Sequence, residues 1–260
     1  MKTKKIKAMI IALLLMSPAL GYGQSAPDLK TAADFGVLAY TAISFDGTQT
    51  VINDMDVGLY PGLLSSITGD YVVNNGAVMA ADSPEPAPAI LVQAKQDLLD
   101  AYLFAANALE TDIISGSQGN LTLTPGVYKS ESSLSIDDLP LTLDAEGDEN
   151  AVWIFQIEST LTTTAGGDVI LANGAKASNV YWQVGSSATI GDYTDFKGNI
   201  LAHTSITINT GSHIEGRALA KNGAVTFASG GTVNEPIGAQ LTVTKTADKT
   251  ENVQVDDEIT

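Results

Sequence analysis

The chain has 260 residues, no cysteine, and 30 acidic against 13 basic residues, a formal charge of −17. That balance excludes binding to nucleic acid or anionic lipid by counterion release. Without disulfides, an exported fold of this size must hold itself by core burial and backbone ladders.

The N-terminus reads as a secretion signal over residues 1–23. Lys2, Lys4, Lys5 and Lys7 precede an apolar run from Ala8 to Leu15, and small residues at Gly21 and Gly23 suit cleavage after Gly23 or Gln24. The run is too short for a comfortable spanning helix. The mature chain is therefore expected outside the cell, secreted or held at the cell surface, with no membrane insertion. Removing the leader removes four lysines and no acid, so the remainder carries 21 more acidic than basic residues.

Residues 28–62 read as short strands: Phe35-Gly36-Val37-Leu38-Ala39, then Thr41-Ala42-Ile43-Ser44, with a turn at Pro61-Gly62. Residues 63–82 are less regular and are expected to form a loop or small cap over one end of the fold. After the Pro-rich stretch 83–88, Leu91, Ala94, Leu98, Ala101, Tyr102, Ala105 and Leu109 recur at three- and four-residue steps. This predicts an amphipathic helix over residues 89–109. A lone helix among strands must bury its stripe against a sheet.

From Leu121 to Phe227 strands resume, punctuated by Gly and Asn turns. One strand type is bulky on both sides: Val152-Trp153-Ile154-Phe155-Gln156-Ile157 and Val180-Tyr181-Trp182-Gln183-Val184. Such strands are covered on both faces. Trp153, Tyr181 and Trp182 are therefore read as core beneath the helix rather than as a sugar-stacking platform. A second type is a ladder of small hydroxyl residues: Ser132-Ser133-Leu134-Ser135, Ser159-Thr160-Leu161-Thr162, Ser186-Ser187-Ala188-Thr189 and Thr204-Ser205-Ile206-Thr207, with a relaxed copy at Gly223-Ala224-Val225-Thr226. A third type includes Val169-Ile170-Leu171 and His213-Ile214-Glu215. Val184, Ala202 and Ala220 are each 18 residues apart. Three strand types in a repeat near this length predict a β-solenoid over residues 24–235, with the hydroxyl type forming one flat, uncharged, open face. Residues 236–260 change character and read as a tail, or as the start of a truncated β-sandwich repeat.

Several segments, in order, resemble one family. They are Thr31-Ala32-Ala33-Asp34-Phe35-Gly36-Val37-Leu38-Ala39, Asp56-Val57-Gly58-Leu59-Tyr60-Pro61-Gly62, Leu123-Thr124-Pro125-Gly126-Val127-Tyr128, Asn179-Val180-Tyr181-Trp182-Gln183-Val184, Phe196-Lys197-Gly198-Asn199-Ile200-Leu201-Ala202 and Gly216-Arg217-Ala218-Leu219-Ala220. From about Asp28 to Phe227 the chain resembles the microbial ice-binding proteins of fungi, diatoms and cold-adapted bacteria. The resemblance implies a mainly β fold: a right-handed discontinuous β-solenoid of triangular section with one long α-helix packed alongside. It also implies that the N-terminal coils stack on coils formed late in sequence, and that ice is the partner of one flat face. Thr41, Ser44, Ser133, Ser135, Thr160, Thr162, Ser187, Thr189, Ser205, Thr207 and Thr226 are the candidate ice-contacting residues. No catalytic residue, cofactor or metal is assigned, no enzyme activity is expected, and a monomer is expected.

Other constellations read as structural. Asp144, Glu146, Asp148, Glu149 and Asn150 form an acidic turn without the spacing of a full calcium loop. His203 and His213 lack partners at ligand spacing. Arg217 is read as an anchor for a turn or a carboxylate. Two other functions compete with ice binding. A polysaccharide-active solenoid needs a basic residue with clustered acids in a groove, for which the basic residues are too few and too scattered. A surface adhesin module binding glycan or protein remains the alternative.

Overall fold

The computed structural model describes residues 24–238; the proposed signal segment and almost all of the proposed tail lie outside the described residues. Strands β1 (Phe35–Ala39), β2 (Ile43–Asn53), β3 (Asp56–Leu59), β4 (Ile67–Asn74) and β5 (Val78–Ala80) lead into helix α1 (Ala87–Ala106). After the helix come β6 (Asp112–Ile113), β7 (Gly116–Ser117), β8 (Thr122–Leu123), β9 (Gly126–Ser130), β10 (Leu134–Ile136), β11 (Leu141–Asp144), β12 (Trp153–Ile157), β13 (Leu161–Thr163) and β14 (Val169–Ala172). The described residues end with β15 (Val180–Val184), β16 (Ala188–Ile190), β17 (Asp195–Ala202), β18 (Ile206–Ile208), β19 (His213–Ala220), β20 (Val225–Phe227) and β21 (Thr232–Asn234).

Every pairing is parallel, as coils stacked along one axis require. The coils make three faces. On the a face the order is β6-β9-β12-β15-β17-β19-β1-β3-β5. On the b face it is β7-β10-β13-β16-β18-β20-β2-β4. The c face carries β8-β11-β14 as one ladder, and the N-terminal parts of β17 and β19 with β21 and the C-terminal part of β2 as another. The first strand of the chain thus lies on the last coils, with Val37 beside Ala218 and Leu38 beside Leu219. Chain order and stacking order differ as expected.

Alternation builds the core. Inward residues of the coils form one long cluster, and aromatic rings stack inside it from rung to rung. Tyr128, Phe155, Trp182 and Phe196 follow each other at centroid distances of 5.6, 3.9 and 5.2 Å, and Tyr71, Phe45 and Phe227 at 4.6 and 5.1 Å. Trp153 and Trp182 therefore lie inside the solenoid, not beneath the helix as expected. The residues beneath the helix are their strand neighbours Ile154 and Tyr181, with Leu38, Leu201 and Leu219. In a strand covered on both sides, composition leaves the inward side chain ambiguous, and the register decides it.

Helix α1 packs Leu91, Ala94, Leu98 and Ala101 on the a face, all buried. It begins earlier than the apolar spacing indicates, because Pro88 sits in the first turn, where no intrahelical N–H is needed. It ends before Leu109, which is 83% exposed, once Asn107 turns its side-chain amide back onto the Leu103 carbonyl. Polar pins fix the seam. Gln156 donates to the Ala105 and Ala108 carbonyls, Gln183 donates to the Tyr102 hydroxyl, and buried Asp97 accepts the Thr31 N–H.

Residues 63–82 differ from the expected cap. They form β4 and β5, a further regular coil against β2 and β3. Its b–c corner is a single residue, Asp70, between Gly69 and Tyr71, where β2 uses four residues. Gly69 permits the tight corner: its φ is +99°, and an added Cβ would collide with the Phe45 carbonyl. The shortened corner breaks the spacing that identifies the other coils.

Leu98→Asp is expected to destabilise the whole domain by about 3 kcal/mol or more, since it removes buried apolar surface and inserts a carboxylate. Thermal unfolding checks this, and an unchanged midpoint would contradict the packing of α1. Lys95 offers a second test. Its Nζ donates to the Ala220 and Lys221 carbonyls at 2.8 Å each. Burial, with the Lys221 ammonium nearby, pushes its pKa from 10.5 down to about 7. Between those values the unfolded chain binds more protons at this site than the folded one, so this group makes stability rise as pH climbs from about 7 toward 10. Lys95→Met should flatten that rise in melting temperature; parallel pH profiles for the two proteins would refute the shift.

Candidate functional site

In most coils the b face is a paired stretch of three residues, either a whole strand or, in β2 and β4, the N-terminal part of a longer one, while β7 has two. The first and third point into the core and the middle one points out. Leu134 and Ile136, Ile206 and Ile208, Val225 and Phe227, and Ile43 and Phe45 are all buried. Between them stands one outward column in strict register: Ser117, Ser135, Thr162, Thr189, Thr207, Thr226, Ser44 and Thr68. A second column lies two residues earlier in each coil: Ser133, Thr160, Ser187, Ser205, Ala224 and Ala42. Rungs of a parallel ladder lie ~4.8 Å apart, and alternate residues along a strand ~6.7 Å apart. The columns thus form a near-rectangular grid of hydroxyls and methyls.

This grid is the open face. The a face is covered by α1. The c face is interrupted, because β14 and β17 do not pair and a shallow cleft of about 360 Å³ opens there, lined by Leu171, Ala177, Lys197 and Glu215 among others. Lys197 bridges Asp195 and Glu215 at 2.9 and 3.3 Å, so the cationic group in that cleft is already paired.

The hydroxyls of the grid are not equivalent. In the second column Ser187 accepts the Ser205 N–H and Ser205 accepts the Ala224 N–H, each at 3.3 Å, while Thr160 donates to Ser133 at 2.8 Å. Those side chains brace neighbouring rungs. In the first column Ser135 donates to the Asp137 carboxylate at 2.6 Å, and Ser117 accepts the Asp137 and Gly119 N–H groups. Thr226 accepts a long contact from Ser44 at 3.4 Å. Thr162, Thr189 and Thr207 make no side-chain hydrogen bond among the described residues, so their hydroxyls face outward with full capacity. Threonine is stiff at χ1, which holds methyl and hydroxyl in place before anything binds.

Ten of the eleven residues expected to share a face do so. Thr41 does not: the register of β2 on β20 places Ala42 in the second column and leaves Thr41 at the corner between the a and b faces. Alternation across buried Ile43 puts Ala42, two residues before Ser44, on the outward side, and the register agrees. Ser117 and Thr68, which extend the first column, escape sequence reading because each lies beside a glycine, Gly116 or Gly69, that interrupts the apolar-polar-apolar pattern, and the β7 strand of Ser117 has only two residues.

The other sequence candidates have local roles. Asp144 accepts the Glu146 N–H and the Asn173 amide, which hold its carboxyl below the ordinary range and close the acidic turn. His213 meets Thr232 at 2.7 Å, and His203 meets Asn222 at 3.3 Å. Buried Arg217 donates to the Ala33 carbonyl and to Asn199 rather than to a carboxylate. Among the described residues no three acidic or histidine side chains gather as a metal site, and no helix is long and apolar enough to cross a membrane.

Known proteins share this architecture. An ice-binding protein of Nostoc sp. (strain HG1) is 40% identical over 232 residues, covering 87% of this chain and 82% of that protein. Ice-binding protein 1 of Shewanella frigidimarina (strain NCIMB 400) is 35% identical over 239 residues, covering 82% of this chain but 27% of that longer protein. The solved structure of an ice-binding protein from an Antarctic biological consortium aligns with a TM-score of 0.75 at 44% identity, over 83% of this chain and 93% of that one. The solved domain of the Shewanella protein aligns with a TM-score of 0.76 at 33% identity, over 82% and 98%. Residues 37–233 match the family described as Ice-binding-like, and with the stacked coils, the lone helix and the open hydroxyl face of this structure, the chain belongs to that family.

Proposed function

We propose that this protein adsorbs to ice through the b face, and that it acts as an antifreeze and an inhibitor of ice recrystallisation. The observation that carries the reading is the in-register column Thr162, Thr189, Thr207 and Thr226 on a face that no helix or sheet covers among the described residues. The relatives named as ice-binding proteins support it.

The physics follows from the grid. Each hydroxyl contact with lattice water is weak, because liquid water offers a similar partner. Adsorption therefore depends on many contacts made together with little loss of freedom, and rigid rungs with χ1-restricted threonines provide that. Charges would organise water about themselves, and the central rungs carry none in either column. Once the face is held, ice grows only between adsorbed molecules, where curvature lowers its freezing point. The chain is read as a binding protein without catalytic machinery, acting as a monomer outside the cell after export by residues 1–23.

Slow growth of an ice hemisphere in a solution of the chain from Gln24 onwards should enrich the protein in the ice fraction; exclusion from the ice would overturn the reading. Thr207→Tyr should lower thermal hysteresis by about tenfold or more, the scale for a central contact residue, with circular dichroism unchanged. Full activity in a folded Thr207→Tyr protein would place the contact surface elsewhere.

A further inference from the structure

We infer that the ice-contacting patch is confined to the four central rungs by carboxylates at both of its ends, with Asp137 setting one boundary and Asp46 and Asp70 the other. This builds on the ice-binding role of the b face. A third column, two residues beyond the first, edges the b face where the chain begins its turn to the c face, so that Asp46 and Asp70 are the first corner residues of their coils. Its members are Asp137, Thr164, Gly191, Asn209, Ala228, Asp46 and Asp70. Ladder hydrogen bonds continue into this column from Thr164 to Ile136, from Asn209 to Ile190 and from Ala228 to Ile208. Over the four central rungs it is uncharged. The next rung at one end has Asp137, and the next two at the other end have Asp46 and Asp70.

These carboxylates act in two ways. An ionised carboxylate binds its first-shell waters more strongly than a hydroxyl does, and in an arrangement set by its own charge. A lattice plane carried onto that rung would have to strip or reorder those waters. Asp137 also takes the hydroxyl of its own rung, since the 2.6 Å bond from Ser135 points that donor sideways along the face. Asp46 and Asp70 are both exposed, and Gln49 contacts Asp70 only at 3.4 Å. Asp192 stands one residue past the third column, at the corner, where it accepts the Thr210 N–H. It lies outside the patch. Four of the five threonines of the first column coincide with the uncharged stretch of the third; Ser135 and Ser44 coincide with its first charged rungs, and the fifth threonine, Thr68, stands on the Asp70 rung.

The test compares Asp137→Thr, which copies Thr164 of the adjacent rung, and Asp46→Ala, which copies Ala228, with the parent protein at equal molar concentration. Each should raise thermal hysteresis by roughly a quarter, the share of one rung added to four in a repeat whose rungs contribute additively. Both gains should vanish in a Thr207→Tyr background. Asp137→Asn, which removes the charge with least disturbance, should also gain and covers the case in which Asp137→Thr folds poorly. Activity at or below the parent level in folded Asp137→Asn and Asp46→Ala, while Thr207→Tyr shows its expected loss, would overturn the boundary and leave the face assignment standing. A gain that survives Thr207→Tyr would show that the carboxylates act away from this face and would equally overturn it. Retained activity in Thr207→Tyr alone would remove the face assignment and the boundary with it.

Discussion

The structure depends on carrying the chain from one end of a coil stack to the other. Strands β1 to β5 occupy the top of the stack, yet the residues that follow must begin its bottom, at β6. The a face holds nine strands, so the distance to be covered is ~38 Å at the spacing of parallel rungs. Helix α1, with 20 residues, spans ~30 Å of it and satisfies its own backbone on the way. A chain crossing that distance as a loop would expose its polar backbone and leave the a face bare. The helix closes the connection and covers the a face, so the solenoid does not need to finish in the order in which it was begun.

That arrangement leaves the b face open while making it rigid. The a face is occupied by α1, and its seam is fixed by Gln156, Gln183, Asp97 and the Lys95 ammonium, each bonded to a specific backbone or side-chain group. Inside, the stacked aromatics tie adjacent rungs at nearly the strand spacing, so one coil cannot slip relative to the next without breaking ring contacts and ladder bonds together. On the b face, Ser187 and Ser205 reinforce the same register from outside. The free threonines are placed by everything beneath them, and a ligand that is itself a lattice meets a surface needing little further ordering.

Acidity and adsorption are separated in space. The chain is strongly acidic, yet among the described residues the three columns of the central b-face rungs hold no carboxylate. Neutrality of the face is thus local to a few rungs, and the length of that neutral stretch, rather than the count of hydroxyl residues, sets how much surface is suited to water arranged as a crystal.

Much of this was legible in the sequence because strand alternation has a period of two and one side of each coil must be apolar. The hydroxyl ladder, the helix stripe at Leu91 to Ala105 and the three strand types all follow from that rule. Residues 63–82 escape it because the one-residue corner at Asp70 shifts the spacing, whereas Thr41 falls outside the face by the rule itself, since a period of two pairs Ser44 with Ala42. The direction of Trp153 and Trp182 was equally hidden in strands apolar on both sides. Sequence alone determined which residue types would face solvent in each repeat, since that follows from local periodicity and burial. Tertiary structure alone decided the order of the coils, which hydroxyls are free and which are held, and where charges meet the face, because each of these is fixed by register between strands far apart in the chain.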